Sequence, residues 1–408
     1  MKLFHLLFLP TLLAAAICAP LGAQQPAQSL TLAAALDLAE RQNLDLVAAR
    51  AQRAVALAGV RIAGERPNPT ANFSATRDEP HESVFLDQPL EIGPKRERRI
   101  EVARQESALT ETDITAVERQ VRQAVRGAYF GLAHARGVTA QQAGALKLAE
   151  RLEQIAEARF QAGDIPQLEV TQADLEAARA RAGVAVAQQE EKVALSELNA
   201  LLDEPATTDW DLGDAFAMLP PPMPLEDLLA RAENSNPVIS RAIQQMKVQQ
   251  SQTALLKAER IPDLGLEFGA DLNSPHDFDL GARGGISMEL PLFKRNQGEI
   301  AQSEASALAL DGELEAARRA ANARVESAYF DLEARRTQVQ LYRDTLIPTS
   351  DRLEEMAEES YRAGKANILT VLSAQRDAQQ VQSEYLDSLL AAQAAFGQLE
   401  ETVGAPLD

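Results

Sequence analysis

Cysteine is nearly absent from the chain: Cys18 is the only one in 408 residues. It lies ahead of the expected cleavage point of an export signal. The processed chain therefore holds none, and neither disulfides nor a cysteine-ligated metal site is available to it. Histidine is almost as scarce, at four residues. His5 falls in the signal, leaving His81, His134 and His276. No HExxH pair occurs and no glycine-rich phosphate loop follows a strand, so an enzyme reading lacks its usual groups. Aromatic residues are 4% and charged residues 25% of an alanine-rich chain, a mix that favours long helices packed through small side chains over an ordinary α/β core. Positive charge is in the minority, 40 Lys and Arg against 60 Asp and Glu, for a formal charge of -20. Nucleic acid is excluded as the main partner, because phosphate binding needs a basic face and the basic residues are dispersed. After the N-terminal segment no run approaches the roughly 18 apolar residues of a transmembrane helix, so any membrane crossing must be made by strands.

What is present begins with an address. Lys2, the apolar run 3–13 and the small residues ending at Leu21-Gly22-Ala23 have the layout of a secretory signal. Cleavage is expected after Ala23, which makes residues 1–23 the signal peptide. A competing reading makes Cys18 a lipoprotein acylation site; the bulky Ile17 before it counts against that.

The rest of the chain repeats itself. AVRGAYFGLAHAR, centred on Tyr129-Phe130, recurs as ARVESAYFDLEAR, centred on Tyr329-Phe330, and ARFQAGDIPQLEVTQA, ending at Ala173, recurs as ESYRAGKANILTVLSA, ending at Ala374. A period of about 200 residues marks a duplicated domain, not a solenoid. The first repeat is assigned to residues 24–218, with a strand hairpin over about 68–93 and a helical hairpin over about 94–203. The proline-rich stretch 219–224 is the linker, since consecutive prolines exclude both helix and central strand. The second repeat is 225–408, with its strand hairpin over about 262–293 and its helical hairpin over about 297–403.

Each half reads as helix, strand hairpin, long helix, return helix. One helix is expected over 30–64 and one over 225–260, stopped by Pro67 and Pro69 or by Pro262. From Leu264 apolar residues alternate with Gly265, Glu267, Gly269 and Asp271, and from Leu280 they alternate with Gly281, Arg283, Gly285, Ser287 and Glu289. Two strands with one apolar and one polar face, each long enough to cross a bilayer when tilted, resemble those of an outer membrane barrel. The first-half strands, 70–77 and 83–92, are less regular, and their existence rests partly on the repeat. Four strands cannot close a barrel, and an open edge in lipid leaves backbone groups without partners, so several chains must contribute; the arithmetic permits a dimer or a trimer. The long helices are expected over 94–161 and 297–362, the second kinked or divided at Ile347 by Pro348. Alanine at Ala128, Ala133, Ala143, Ala145, Ala149, Ala316, Ala317, Ala320 and Ala328 would form close-packed seams, with Tyr129-Phe130 and Tyr329-Phe330 filling space there. Each long helix turns at a glycine, Gly163 or Gly364, and returns.

The duplicated plan, with RFQAGDIPQLEVTQA and SYRAGKANILTVLSA at the turns, resembles the TolC-like outer membrane efflux protein family over essentially the whole processed chain. LDQPLEIGPKRERRIEVAR, from Leu86, and LPLFKRNQGEIAQSEA, from Leu290, are similar to the CzcC-like branch, the outer membrane components of cobalt-zinc-cadmium type heavy-metal efflux systems. The resemblance implies a mainly α fold with a small membrane β part: long antiparallel helical hairpins forming a periplasmic tunnel, and four strands per chain contributing to a twelve-stranded trimeric barrel. It implies a homotrimer in the outer membrane of a Gram-negative bacterium, in contact with its lipid. A periplasmic adaptor would dock on it and connect it to an inner membrane pump of the resistance-nodulation-division type. The channel would be passive, would hold no cofactor and catalyse nothing, and would open by a helix rearrangement when the adaptor engages.

Carried over residue by residue, the resemblance puts Ala162, Gly163, Asp164, Ala363, Gly364 and Lys365 at the adaptor contact. It puts Glu169, Thr370 and Ser373 around the periplasmic entrance, where only Glu169 keeps an acidic group. The alternation directs Glu267, Asp271, Arg283 and Glu289 into the barrel lumen, where acidic side chains raise local cation concentration. The same groups would equally serve to solvate the inner face. His81 and His276, beside carboxylates in the hairpin tips, are weak zinc candidates against the plainer reading of surface histidines. Two other functions stay open: a channel of the same family for drugs or type I secreted polypeptides, and, more distantly, a periplasmic coiled-coil adaptor.

Overall fold

The structure, a computed structural model, describes residues 28–77, 82–216, 223–272 and 280–407. The expected signal peptide, most of the proline-rich stretch, His81 and His276 lie outside the described residues. The first half runs β1 (Gln28–Ser29), α1 (Leu32–Gln42), α2 (Leu44–Ala63), β2 (Thr70–Ala75), β3 (Glu82–Leu90), α3 (Lys95–Gln161), α4 (Gln167–Leu202) and β4 (Trp210–Asp211). The second runs α5 (Leu225–Ser235), α6 (Pro237–Ala258), β5 (Leu264–Leu272), β6 (Leu280–Met288), α7 (Gln297–Leu341), a π-helical turn (Tyr342–Leu346), α8 (Ile347–Arg362) and α9 (Ile368–Val403).

The opening of each half corrects the expectation of a single helix over 30–64 and over 225–260. Two helices stand in each place because a buried asparagine ends one and starts the next. The Asn43 side chain accepts the Leu46 N–H at 3.2 Å, and the Asn236 side chain accepts those of Val238 and Ile239 at 2.9 and 3.2 Å. Each satisfies donors that a helix start leaves without partners. Pro237 follows at the first helical position, where its missing N–H costs nothing.

The four long strands form one antiparallel sheet in the order β2-β3-β5-β6. Its ladders bring Asp87 opposite Glu267 and Leu266 opposite Ile286. The strands are shorter at their ends than the alternation suggested, stopping at Ala75, Leu90 and Met288. A second, two-residue parallel pairing of β1 with β4 was not anticipated, because two residues carry no period.

Helices continue the strand order. Next to the sheet α2 packs on α3, α3 on α6 and α6 on α7; farther away α4 packs on α3, α3 on α9, and α9 on α7 and α8. α3 serves both layers as one helix of 67 residues, about 100 Å long. Its second-half counterpart is interrupted before Pro348. The proline has no N–H to give and its ring crowds the carbonyl four residues back; the π turn, closed by the Ile347 N–H on the Tyr342 carbonyl, widens the helix just ahead of it.

The three largest apolar clusters among the described residues hold the chain together. In the first half Val125, Tyr129, Phe130, Leu132, Leu198 and Trp210 pack together, with Trp210 donating from Nε1 to Asn199 at 2.6 Å and Tyr129 from its hydroxyl to the Leu30 carbonyl at 3.1 Å. In the second half Leu228, Val325, Leu332, Phe396 and Leu399 take the matching places. The third cluster joins the far turns of the two helical hairpins through Leu152, Ile165, Tyr361, Ile368 and Leu372. Between halves, Arg126 meets Glu400 at 2.9 Å and lies 4.8 Å over the Phe396 ring, and Gln141 donates to the Gln379 carbonyl at 2.6 Å.

Seam packing is uneven between the repeats. Tyr129 and Phe130 are buried, while Phe330 is 61% exposed in the single chain. Ala316 and Ala320 are also exposed. Nothing among the described residues covers that side of α7, which is the last helix of its layer.

Candidate functional site

Period two fixes the two faces of the sheet, and the ladder registers align the faces of all four strands. One face carries Phe73, Val84, Leu86, Leu90, Leu264, Leu266, Phe268, Leu280, Ile286 and Met288; the other carries Asn72, Ser74, Ser83, Asp87, Glu267, Asp271, Arg283 and Ser287. Glu267, Asp271 and Arg283 share one polar face, and the exposed Glu289 continues the same alternation just past β6. The strand reading passed over Asp87. It lies directly opposite Glu267, and the signal for it was the weak alternation of 83–92.

On this face Arg283 is held by Asp271 at 2.8 Å and lies 5.3 Å over the Phe85 ring. Phe85 lies flat because its ladder partner is Gly269, where a Cβ would collide with both the Phe85 ring and the Val84 carbonyl. A Cβ at Gly285 would come within 3.2 Å of the Glu267 carboxylate, so the absence of a side chain there leaves room for it. Three carboxylates (Asp87, Glu267, Asp271) against one guanidinium leave the face negative.

At the opposite end of the molecule, Gly163 and Gly364 adopt φ of 82° and 69°, a left-handed conformation that side chains other than glycine's resist. Each turn closes a helix in the same way, with the Asp164 N–H on the Arg159 carbonyl at 2.9 Å and the Lys365 N–H on the Ser360 carbonyl at 2.8 Å. Ala162, Gly163, Asp164, Ala363, Gly364 and Lys365 are all exposed. So are Leu168 and Leu369, which occupy the same place in the first turns of α4 and α9 and which the sequence reading did not single out.

The two turns are tied to each other. Arg159, near the end of α3, donates to the Tyr361 carbonyl at 3.3 Å and stacks 4.8 Å over the Tyr361 ring. Tyr361 is fully buried, whereas Phe160, its counterpart in the repeat, is exposed. Burial pushes the Tyr361 phenol up; Arg159 opposes this and Glu169 adds to it. The Tyr361 hydroxyl and one Glu169 carboxylate oxygen are buried without a hydrogen-bond partner among the described residues. Thr370 and Ser373 spend their hydroxyls locally, on Asn367 and on the Thr370 carbonyl. Glu169 is therefore the one residue of the expected entrance trio that reaches into the cluster.

Among the described residues no group of three or more His, Cys, Asp and Glu could hold a metal ion. His134 faces Asp387 at 2.8 Å, joining α3 to α9. Among these residues no helix is long and apolar enough to cross a membrane.

The family described as "Outer membrane efflux protein" matches over residues 35–204 and 228–405. The chain is 27% identical over 373 residues to the cobalt-zinc-cadmium resistance protein CzcC of Cupriavidus metallidurans, covering 91% of this chain and 89% of that protein. Solved structures share the fold. CusC superposes with a TM-score of 0.77 at 18% identity, over 94% of this chain and 96% of that one. The outer-membrane channel OprN gives 0.75 at 18% identity, covering 92% and 90%. The outer membrane protein VceC of Vibrio cholerae gives 0.73 at 17%, covering 92% and 97%.

Proposed function

The chain belongs to the outer membrane efflux protein family, and from that premise we propose that it is the trimeric exit duct of a tripartite pump that expels divalent metal cations. The observation that carries the reading is that, among the described residues, every layer of the single chain is open at both sides. β2 and β6 are unpaired sheet edges, α2 and α7 end the helical layer beside the sheet, and α4 and the α7–α8 run end the far one. Exposed apolar residues mark these borders: Val47 and Ile62 on α2, Val186 and Val193 on α4, Leu308 and Phe330 on α7. Edges left open in lipid are untenable. Because the strands alternate in direction, β6 of one copy meets β2 of the next antiparallel, so head-to-tail copies close a ring. Three copies give twelve strands, an even number in the range of single-walled outer membrane barrels.

The apolar sheet face then meets lipid and the negative face lines the lumen, attracting cations. The exposed turns at Gly163 and Gly364 are where a periplasmic adaptor would dock, and the cluster of Arg159, Glu169 and Tyr361 would close the entrance until it does. Cobalt, zinc and cadmium are the leading substrates, on the likeness to CzcC. The pump of the inner membrane supplies the energy, and the duct itself performs no chemistry.

Deleting the gene and measuring growth inhibition by zinc, cobalt, cadmium, nickel and copper beside hydrophobic drugs tests the substrate. Metal sensitivity alone, reversed by the intact gene, is expected; drug sensitivity alone would overturn the metal assignment and keep the channel. The detergent-solubilised protein should have the mass of three chains, and a stable dimer would remove the twelve-stranded ring.

A further inference from the structure

The last strand of each hairpin ends in a related way. Leu90-Glu91-Ile92 is followed by Gly93-Pro94-Lys95-Arg96, and Leu290-Pro291-Leu292 by Phe293-Lys294-Arg295. In the first half the motif folds back on its own chain. The buried Lys95 ammonium lies 2.7 Å from Asp263, and Ile92 donates its backbone N–H to the same carboxylate at 3.1 Å.

In the second half the motif is turned outward. Leu290 and Leu292 are exposed, and Phe293, at 92%, is the most exposed large hydrophobic residue among those described. The Lys294 side chain is 79% exposed and among the described residues meets only Glu299, itself partly in solvent, at 3.2 Å. Arg295 is exposed and turns its Nε to the Pro291 carbonyl at 3.0 Å. Apolar side chains left in water forgo the stabilisation that burial brings, so three within four residues call for a cover.

Position and charge say what covers them. Leu280, Ile286 and Met288 lie on the apolar face of the sheet, and Leu290 and Leu292 continue that alternation past the last ladder pair, Leu264 with Met288. The run then passes to an aromatic residue and to two cations, in a chain whose formal charge is -20. Apolar belt, aromatic, cations is the order of layers met on leaving a bilayer: hydrocarbon, interface, phosphate.

We propose that Leu290, Leu292 and Phe293 seat in the periplasmic leaflet of the membrane and that Lys294 and Arg295 bind the phosphates of anionic lipid headgroups, which fixes the depth of the barrel. The inference rests on the reading of the sheet as a membrane barrel. It assigns a role to the LPLFKRN segment, which the duct reading leaves unused.

Brominated lipids, which quench tryptophan fluorescence on contact, test it in the assembled protein reconstituted into vesicles. Phe293→Trp keeps an aromatic ring at an exposed site, and Ile286→Trp places one on the apolar face of β6. Trp210, buried in the first-half helical cluster, supplies the unquenched baseline in the unsubstituted protein. Both variants should be quenched, Phe293→Trp more strongly by brominated phosphatidylglycerol than by brominated phosphatidylcholine. Lys294→Gln/Arg295→Gln in the Phe293→Trp background should reduce that preference by up to about thirtyfold. Quenching of Ile286→Trp without quenching of Phe293→Trp would overturn the anchor and leave the barrel standing, with a second copy as the cover if the Phe293→Trp emission is blue-shifted. No quenching of either would overturn the barrel itself. Equal quenching of Phe293→Trp by both lipids would overturn the assignment of Lys294 and Arg295.

Discussion

Asn43 and Asn236 make the same bond in the two halves of the chain: Nδ2 of Asn43 donates to the Leu201 carbonyl at 3.0 Å, and Nδ2 of Asn236 to the Thr402 carbonyl at 2.6 Å. Each reaches the last turn of the return helix of its own repeat while its Oδ1 caps the helix that follows. One side chain thus closes a loop between the start and the end of each half. Asn43→Ala and Asn236→Ala should each cost roughly 1.5–5 kcal/mol, the sum of a lost cap and a carbonyl left without its partner. Denaturant midpoints of the two variants should fall by similar amounts; a large effect at only one site would show that the halves are not held alike.

Gly163→Val and Gly364→Val should leave the assembly intact and lower metal resistance. The left-handed φ imposes about 1–2 kcal/mol of strain, yet a Cβ at Gly163 meets nothing within 4 Å, and at Gly364 only an Arg159 nitrogen at 3.9 Å. Cross-linking to the adaptor should weaken in both. Unchanged resistance and cross-linking would remove the turns from the contact.

Selectivity should follow the polar face of the sheet. Asp87→Asn/Glu267→Gln removes two facing carboxylates and should shift the reversal potential of single channels in a salt gradient toward zero. Arg283→Gln frees Asp271 from its 2.8 Å partner and should shift it the other way. Identical reversal potentials in all three proteins would separate ion preference from this face.

Acid should stabilise the α8 end of the second hairpin. Burial lifts the Glu354 carboxyl above its ordinary value, and Asp351 and Glu358 push it further. With the folded value above the unfolded one, the contribution of the neutral form is complete below the ordinary carboxylate range and is lost as pH rises through the folded value. Hydrogen exchange of α8 amides, corrected for intrinsic rates, should therefore be slower relative to neutral pH under mild acid, and Glu354→Gln should flatten the difference. A variant with the same pH dependence as the unsubstituted chain would assign the effect elsewhere.

How much of this was legible in the sequence depended on the range of the interaction involved. The hairpin of β5 and β6 showed itself through nine residues of alternation in each strand, and Gly163 and Gly364 through their place between two helical periods. Asn43 did not, because Gln-Asn-Leu-Asp reads as continuous helix until its side chain is seen on Leu201, far along the chain. At Asn236 the following Pro237 was a local sign of the break. Asp87 was hidden by an irregular strand whose register is set by its neighbour β5 and not by its own pattern. Phe330 read as packed because its sequence matches Phe130, yet nothing among the described residues covers it.

The contrast between the two long helical runs has a mechanical consequence. α3 is one continuous helix from the sheet to the far turn, without interruption between Lys95 and Gln161. Its counterpart has a compliant joint of five residues, Tyr342–Leu346, with Pro348 just beyond it. A bending load on the second run is taken up first at that joint, for which the first run has no counterpart.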